Sequence, residues 1–230
     1  MKQNLVLLTL IITVCLSACS TGNTVCTNAK DCYRMGVNYE QKQDYDHAKI
    51  YFEKAAEQGN ADAQAKLGLM YYAKEQDYSK AVEWFKKSAQ QGNAIGQYGL
   101  GSMYSLGCGV PRDDKQAFEW VNKSAQQGLI NAQETLGIFY LEGKGVEPDY
   151  HKAFELLKKS AEQGRIDAQF RLGIMYRDGK GVTQNLSQAR NYFNQAQTGY
   201  SRECNKGMQT PCNLVIKVQK EINELKKLEK

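Results

Sequence analysis

The sequence predicts an all-α fold in which helix-turn-helix repeats stack into an α-solenoid that a C-terminal helix caps. Three observations support this fold class. The chain has 230 residues and only three prolines, and the segments between its glycines are rich in Ala, Gln, Lys, Glu and Leu, which favour helices. One pattern recurs five times along the chain. The end of the chain is a separate amphipathic segment.

The recurring unit is clearest in Ala132–Gly164, where the sequence predicts a helix, a glycine-rich turn and a second helix. Its marker is an apolar residue followed by glycine, with tyrosine three residues after the glycine. A unit of this kind cannot bury its apolar face alone, so it stacks on its neighbours. The marker glycines lie 32 to 36 residues apart, at Gly36, Gly68, Gly101, Gly137 and Gly173.

The two helices of a unit are expected to approach each other closely. In the second unit Ala63, Leu67 and Tyr71 share one helix face, and Gly68 lies beside that face. A glycine inside a helix costs about 1 kcal/mol relative to alanine, so its recurrence needs a physical reason. Close contact with the second helix is the simplest one. The second helix carries an apolar stripe at Ala81, Trp84, Phe85 and Ala89.

The turns fall into two classes. The third, fourth and fifth units have Gly-x-Gly-Val turns that begin at Gly107, Gly143 and Gly179. The first two units lack these glycines and use shorter turns over residues 42–45 and 75–78. Gly-Lys-Gly-Val is therefore interpreted as a repeat turn, in which glycine can adopt positive φ, and not as a phosphate-binding loop.

The pattern A-x-x-x-L-G-x-x-Y-x-x-G-x-G-V-x-x-[DN]-x-x-x-A resembles the Sel-one-like repeat family, a relative of the tetratricopeptide repeats. Units three to five match it closely, whereas units one and two look more tetratricopeptide-like in the turn. We assign residues 28–207 to five such repeats. The resemblance implies a right-handed solenoid whose first helices line a concave face. It also implies an adaptor that binds other proteins or peptides.

Residues 208–230 are expected to form the cap. The second helix of the fifth repeat should continue past Tyr200 towards Asn205, with Gly207 as its stop. Thr210 and Pro211 then fit an N-cap and a first helical position. A coiled-coil partner helix is the alternative, but the segment is too short for three or four heptads. Its apolar residues are Leu214, Ile216, Val218, Ile222, Leu225 and Leu228.

Residues 1–18 predict a signal peptide, because the apolar run over residues 5–16 is shorter than the roughly 20 residues of a membrane-spanning helix. Leu16-Ser17-Ala18-Cys19 resembles the bacterial lipobox, which implies cleavage before Cys19 and lipid attachment to it. An ordinary signal peptide with an unrelated cysteine is the alternative. Ser20 favours the outer membrane, with the protein facing the periplasm. Residues 19–27 are expected to form a short tether.

Five further cysteines would lie in an oxidising compartment, where disulfides persist. Because five is odd, at least one lacks an intrachain partner. Cys26 with Cys32, and Cys204 with Cys212, are near enough in sequence to close small loops, which leaves Cys108. The spacing of Cys204 and Cys212 is similar to that of the disulfides in cysteine-rich secreted members of the family, which implies a bridge there. The pairing of Cys26 and Cys32 stays open.

No set of residues predicts catalysis or a bound cofactor. The motifs S-x-x-K, G-x-x-x-x-G-K-[ST], H-E-x-x-H and G-x-S-x-G are absent, and so is any C-x-x-C pair for a metal. Basic and acidic residues are interleaved, which disfavours nucleic-acid binding. We therefore predict a non-enzymatic scaffold. Some cysteine-rich relatives have been associated with β-lactam binding or hydrolysis, so an envelope hydrolase acting on β-lactams or peptidoglycan is the alternative.

Partner binding is predicted for two columns of the first helices that point away from the core face, represented by Ala65 and Leu69 in the second unit. Many of these positions are apolar, which favours either a groove for an extended or helical peptide, or packing between neighbouring first helices. Variation between the repeats suggests that Glu134 and Ile138 set specificity. The predicted binding residues are Tyr33, Leu69, Tyr98, Ser102, Glu134, Ile138, Phe170 and Ile174.

Overall fold

The computed structural model describes residues 26–206 and 209–228. The predicted signal peptide and Cys19 lie outside these ranges. The described residues form eleven α-helices and no strand. The helices are α1 (Ala29–Gln41), α2 (Tyr45–Glu57), α3 (Ala61–Met70), α4 (Tyr78–Gln90), α5 (Ala94–Leu106), α6 (Asp114–Gln126), α7 (Ile130–Glu142), α8 (Tyr150–Glu162), α9 (Ile166–Asp178), α10 (Leu186–Cys204) and α11 (Gln209–Leu228).

The first ten helices form five helix-turn-helix pairs, and each helix packs against the next one along the chain. The fold is the predicted right-handed α-solenoid with a capping helix. The odd-numbered helices α1 to α9 are the first helices of their pairs, and the even-numbered helices are the second. The helix α3 also contacts α5 directly, so neighbouring first helices form a continuous surface there.

Every second helix begins at a capping Asp or Asn, because the side chain can accept a hydrogen bond from a free backbone N–H in the first turn. The Asp77 carboxylate, for example, accepts from the backbone N–H of Lys80 at 3.1 Å. This bond lowers the pKa of Asp77. The same position fixes the start of each of these helices, through Asp44, Asp77, Asp113, Asp149 and Asn185.

The marker glycines are required by close helix contact, as the sequence predicts. A Cβ at Gly68 would lie 2.5 Å from the ring of Phe85. A Cβ at Gly137 would lie 2.9 Å from Leu157. The second glycine of the longer turns makes a different contact, since Gly145 lies directly against the Asp114 carbonyl of the preceding pair, where a side chain would not fit. These turns therefore join neighbouring repeats as well as the helices of one repeat.

The cap helix α11 covers the open end of the last pair. Its buried residues Val218, Ile222 and Leu225 pack in one cluster with Phe170 and Phe193. Two details of the sequence-based expectation are wrong. The helix α11 begins at Gln209, so Thr210 and Pro211 lie inside its first turn. Ile216 is 71% exposed and does not belong to the buried face.

Disulfides tie both ends of the solenoid. Cys26 is joined to Cys32 in α1, and Cys204 at the end of α10 is joined to Cys212 in α11. Cys108, in the turn after α5, is a free thiol. The Cys204–Cys212 bridge therefore joins the cap helix to the last pair, whereas the Cys26–Cys32 bridge holds the segment before α1 against α1 itself.

No helix in the described ranges combines the length and the apolarity needed to cross a membrane. The same part of the chain contains no group of three or more His, Cys, Asp or Glu side chains placed to hold a metal ion.

Candidate functional site

An apolar cleft of about 310 Å³ opens between α3 and α5, the first helices of the second and third pairs. We call it the central cleft. Its floor is formed by Phe85, Gly99 and Met103. Phe85 and Met103 are almost completely buried, so the floor belongs to the packed core. The walls and mouth are formed by Leu69, Tyr72, Ile95, Tyr98, Ser102 and Leu106.

Exposed apolar side chains are concentrated at this cleft. The described chain has eight exposed large hydrophobic residues, and four of them line the central cleft. Apolar patches of this kind on a soluble surface commonly mark interaction sites. The four residues and their exposed fractions are Leu69 (42%), Tyr72 (38%), Ile95 (39%) and Leu106 (59%).

The cleft exists because Gly99 has no side chain where other first helices carry larger ones. The equivalent residue of α3, Lys66, forms an ion pair with Glu40 of α1 at 2.7 Å. The equivalent residue of α9, Arg171, pairs with Glu142 of α7 at 3.3 Å. These ion pairs bridge the α1–α3 and α7–α9 junctions. At the α3–α5 junction residue 99 supplies no such bridging side chain, and the exposed apolar residues of the walls line the space instead.

The wall formed by Tyr72 depends on an irregular helix end. After Met70 the helix α3 continues as a π-helical turn over Tyr71–Glu75, which ends at Gln76 with a φ of 53°. The Tyr72 ring lies 5.8 Å from the Tyr78 ring, in a tilted arrangement. Such π-helical turns occur frequently at functional sites because they redirect side chains without breaking the helix.

The polar groups of the cleft are few and are mostly used within the protein. The Tyr98 hydroxyl lies 3.3 Å from Thr135 Oγ1, and Ser102 Oγ donates to the Tyr98 carbonyl at 2.9 Å. None of the residues that line the cleft carries a charge. The cleft therefore offers an occupant apolar surface and few hydrogen bonds.

Three of the predicted binding residues, Leu69, Tyr98 and Ser102, come together in the central cleft. Three others are partly buried elsewhere. The ring of Tyr33 lies 5.8 Å from Phe52, and burial raises the pKa of its hydroxyl. Ile138 packs on the cluster of α8 and α9, and Ile174 packs on the cluster that includes the cap. For these residues, packing against neighbouring helices describes the structure better than an open groove.

The two remaining predicted residues are not available on the surface. Glu134 is 5% exposed, and its carboxylate forms an ion pair with Arg165 of the next repeat at 2.7 Å. Phe170 is 7% exposed, because α11 covers it and the Lys217 ammonium lies over its ring at 5.2 Å. The expectation that these two side chains face a partner is therefore wrong. With Glu134 buried, its suggested role in specificity has no structural support.

Sequence reasoning missed Tyr72, Ile95, Gly99 and Leu106. Two signals were available. At the position of Ile95 the other first helices carry polar residues, namely Lys30, Asp62, Asn131 and Asp167, so an apolar residue there is an exception. At the position of Gly99 they carry Arg34, Lys66, Thr135 and Arg171.

Two other grooves, unlike the central cleft, have charged residues in their lining. The largest, of about 580 Å³, runs along α10 and α11 and is lined mainly by polar and charged residues such as Lys220, Glu224 and Lys227. A second groove of about 360 Å³ includes the exposed side chains of His151, Lys152 and Glu155. Neither groove gathers exposed apolar side chains as the central cleft does.

The stacked helix pairs and the apolar cleft define a helical-repeat protein with a surface suited to protein contacts. The Sel1 repeat model matches the chain at residues 29–60, 61–93, 94–129, 130–164 and 166–196. The chain belongs to the Sel1 repeat family, and the prediction of five such repeats is confirmed. Members of this family are typically non-enzymatic scaffolds for protein–protein interaction.

Solved structures of the same family resemble this fold. A protective antigen of uropathogenic Escherichia coli with this fold is 37% identical, with a TM-score of 0.69 over 75% of this chain and 38% of its own. The present chain thus spans well under half of that protein. A Sel1 repeat protein from Oxalobacter formigenes is 28% identical, with a TM-score of 0.64 over 74% of this chain and 73% of its own.

A third similar structure is a putative Sel1 repeat protein from Klebsiella pneumoniae. It is 25% identical, with a TM-score of 0.55 over 83% of this chain and 93% of its own. No curated protein sequence matches the chain significantly.

Proposed function

We propose that this protein is a lipid-anchored scaffold of the bacterial envelope that binds a partner protein through the concave face of its solenoid. The observation that carries the proposal is the gathering of four exposed apolar side chains at one cleft between first helices. The family to which the chain belongs supports the same function, since its members typically bind other proteins.

The exposed apolar residues of the central cleft favour a protein as its occupant. Removing apolar surface from water stabilises a complex by about 25 cal/mol per Å², so exposed leucine, isoleucine and tyrosine side chains favour association. Aromatic residues in a desolvated pocket are frequent hot spots of protein interfaces. Tyr72 and Tyr98 stand on opposite walls of this cleft and supply such contacts.

Site-specific photo-crosslinking in living cells tests the binding function. A photoreactive amino acid at Leu69 or Leu106 should yield a crosslink to a discrete partner protein. The matched control is Ile50 on α2, which is exposed to a similar extent but lies on a second helix, away from the cleft. If neither cleft position yields a crosslinked protein, or if Ile50 gives the same product, the proposed scaffold function is wrong.

The anchor proposal rests on the lipobox-like segment before Cys19, and acyl chains would hold an otherwise soluble repeat domain at a membrane. Metabolic labelling with a fatty acid should label the wild-type protein. The Cys19→Ala variant should remain unlabelled and leave the membrane fraction. An unlabelled wild-type protein, or equal labelling of both, would contradict the anchor without affecting the binding proposal.

A further inference from the structure

We propose that the central cleft takes an amphipathic α-helix of the partner protein, which docks through an uncharged apolar stripe. This inference rests on the proposed scaffold function and specifies the chemistry of its ligand. Three features of the cleft carry it: the shortage of free hydrogen-bonding groups, the absence of charge, and the length of the apolar surface.

The shortage of hydrogen-bonding groups disfavours an extended peptide. The backbone N–H and C=O groups of an extended segment need partners, and burying them unpaired costs roughly 1–3 kcal/mol each. The cleft lining has no Asn, Gln, Arg or Lys to supply them, and Ser102 Oγ already donates to the Tyr98 carbonyl. A helix satisfies its own backbone, so it can bury side chains in the cleft at no such cost.

The absence of charge fixes the buried face of that helix. An unpaired charge in an apolar cleft is strongly unfavourable, so the contacting residues must be uncharged. On one side of the cleft, at the α1–α3 junction, the surface becomes polar, because the Lys66–Glu40 ion pair lies there. The Arg171–Glu142 pair makes a second polar junction further along the solenoid, between α7 and α9. An apolar centre beside a polar margin matches a helix that is apolar on one face and polar on its sides.

The length of the apolar surface matches about three helical turns. On α5 the residues Ile95, Tyr98, Ser102 and Leu106 follow one another at helical spacing and line the cleft. From Ile95 to Leu106 the axial rise is about 16 Å at 1.5 Å per residue. A docked helix would cover this distance with anchors at i, i+3 or i+4, i+7 and i+11, which extends by one turn the spacing used by helices that bind in grooves.

A displayed library of random 16-residue peptides, selected on the full chain, tests the proposal. Selected peptides should carry uncharged apolar residues at i, i+3 or i+4, i+7 and i+11. Their affinity for the double variant Ile95→Glu, Leu106→Lys should be at least tenfold weaker than for wild type. The acidic residue lies near the N-terminus of α5 and the basic residue at its C-terminus, so both charges are compatible with the helix dipole. The matched control Ile50→Glu should change affinity less than twofold. A proline substituted at a polar position of the peptide, midway along its length, should weaken binding about a hundredfold. Proline costs about 3 kcal/mol inside a helix.

Three outcomes would overturn the proposal. One is the selection of peptides whose binding tolerates the central proline, since these would bind in an extended form. Another is binding that survives the cleft substitutions but is lost in Ile216→Lys on the exposed side of α11, which would leave the scaffold function intact and move its site. The third is the absence of any selected peptide; the crosslinking experiment then decides whether the scaffold function fails as well.

Discussion

The substitution Gly99→Ala tests whether residue 99 must be glycine because of its close contact with Phe85 on the floor of the central cleft. Replacing a helix-interior glycine with alanine should by itself stabilise the helix by about 1 kcal/mol. At this site the new Cβ would lie 2.5 Å from Cδ1 and Cε1 of Phe85, whereas carbon atoms prefer separations of about 3.5–4.0 Å. The Phe85 ring cannot move away freely, because Gly68 contacts it just as closely. Overpacking costs about 1–3 kcal/mol, and here we expect the upper part of that range.

We therefore expect Gly99→Ala to lower the free energy of unfolding by about 1–2 kcal/mol, measured by urea denaturation followed by circular dichroism. The matched comparison makes the same substitution in a protein that already carries Phe85→Leu, which removes the ring. In that background alanine at residue 99 should be neutral or stabilising by up to about 1 kcal/mol, and the coupling between the two sites should be about 1–3 kcal/mol. An equal effect of Gly99→Ala in both backgrounds would refute the assignment of the glycine to contact with Phe85.

Two further predictions concern stability. Replacing Cys204 and Cys212 by serine should lower the free energy of unfolding in urea by about 2.5 kcal/mol, since the bridge closes a loop of eight residues; an unchanged midpoint would show that it does not hold the cap. Hydrogen bonds lower the pKa of Asp44, Asp77 and Asp149. The stability that these carboxylates contribute is therefore complete above the usual Asp pKa of about 3.9. It is lost as the pH falls through their lowered pKa values, where the folded protein takes up the protons. Asparagine at all three positions should therefore reduce the loss of thermal stability between pH 5 and pH 2.5, and an unchanged loss would contradict this origin of acid sensitivity.

The fold was predictable because its determinants repeat within the sequence. Each marker glycine faces a buried side chain of its own pair, and each capping Asp or Asn lies directly before its helix, so local spacing is sufficient. The same local logic gave Leu69 and Tyr98 as surface residues of first helices, and both line the central cleft.

The incorrect site residues depend on contacts that local spacing does not contain. Glu134 is buried because Arg165, 31 residues later, reaches its carboxylate. Phe170 is buried because α11, a helix outside the repeat pattern, packs over it. The cleft itself depends on the absence of a side chain at Gly99, which matters only because Phe85 lies beneath it. Such effects appear when neighbouring repeats are compared in three dimensions.

The most direct test is the affinity of the crosslinked partner for variants of this protein, measured by calorimetric titration. The partner should bind Ile95→Glu combined with Leu106→Lys at least tenfold more weakly than wild type, a loss of about 1.4 kcal/mol or more. It should bind Ile50→Glu and Ile216→Lys, both altered at exposed apolar residues outside the cleft, within twofold of wild type. Equal affinity for all of these variants would contradict the assignment of partner binding to the central cleft.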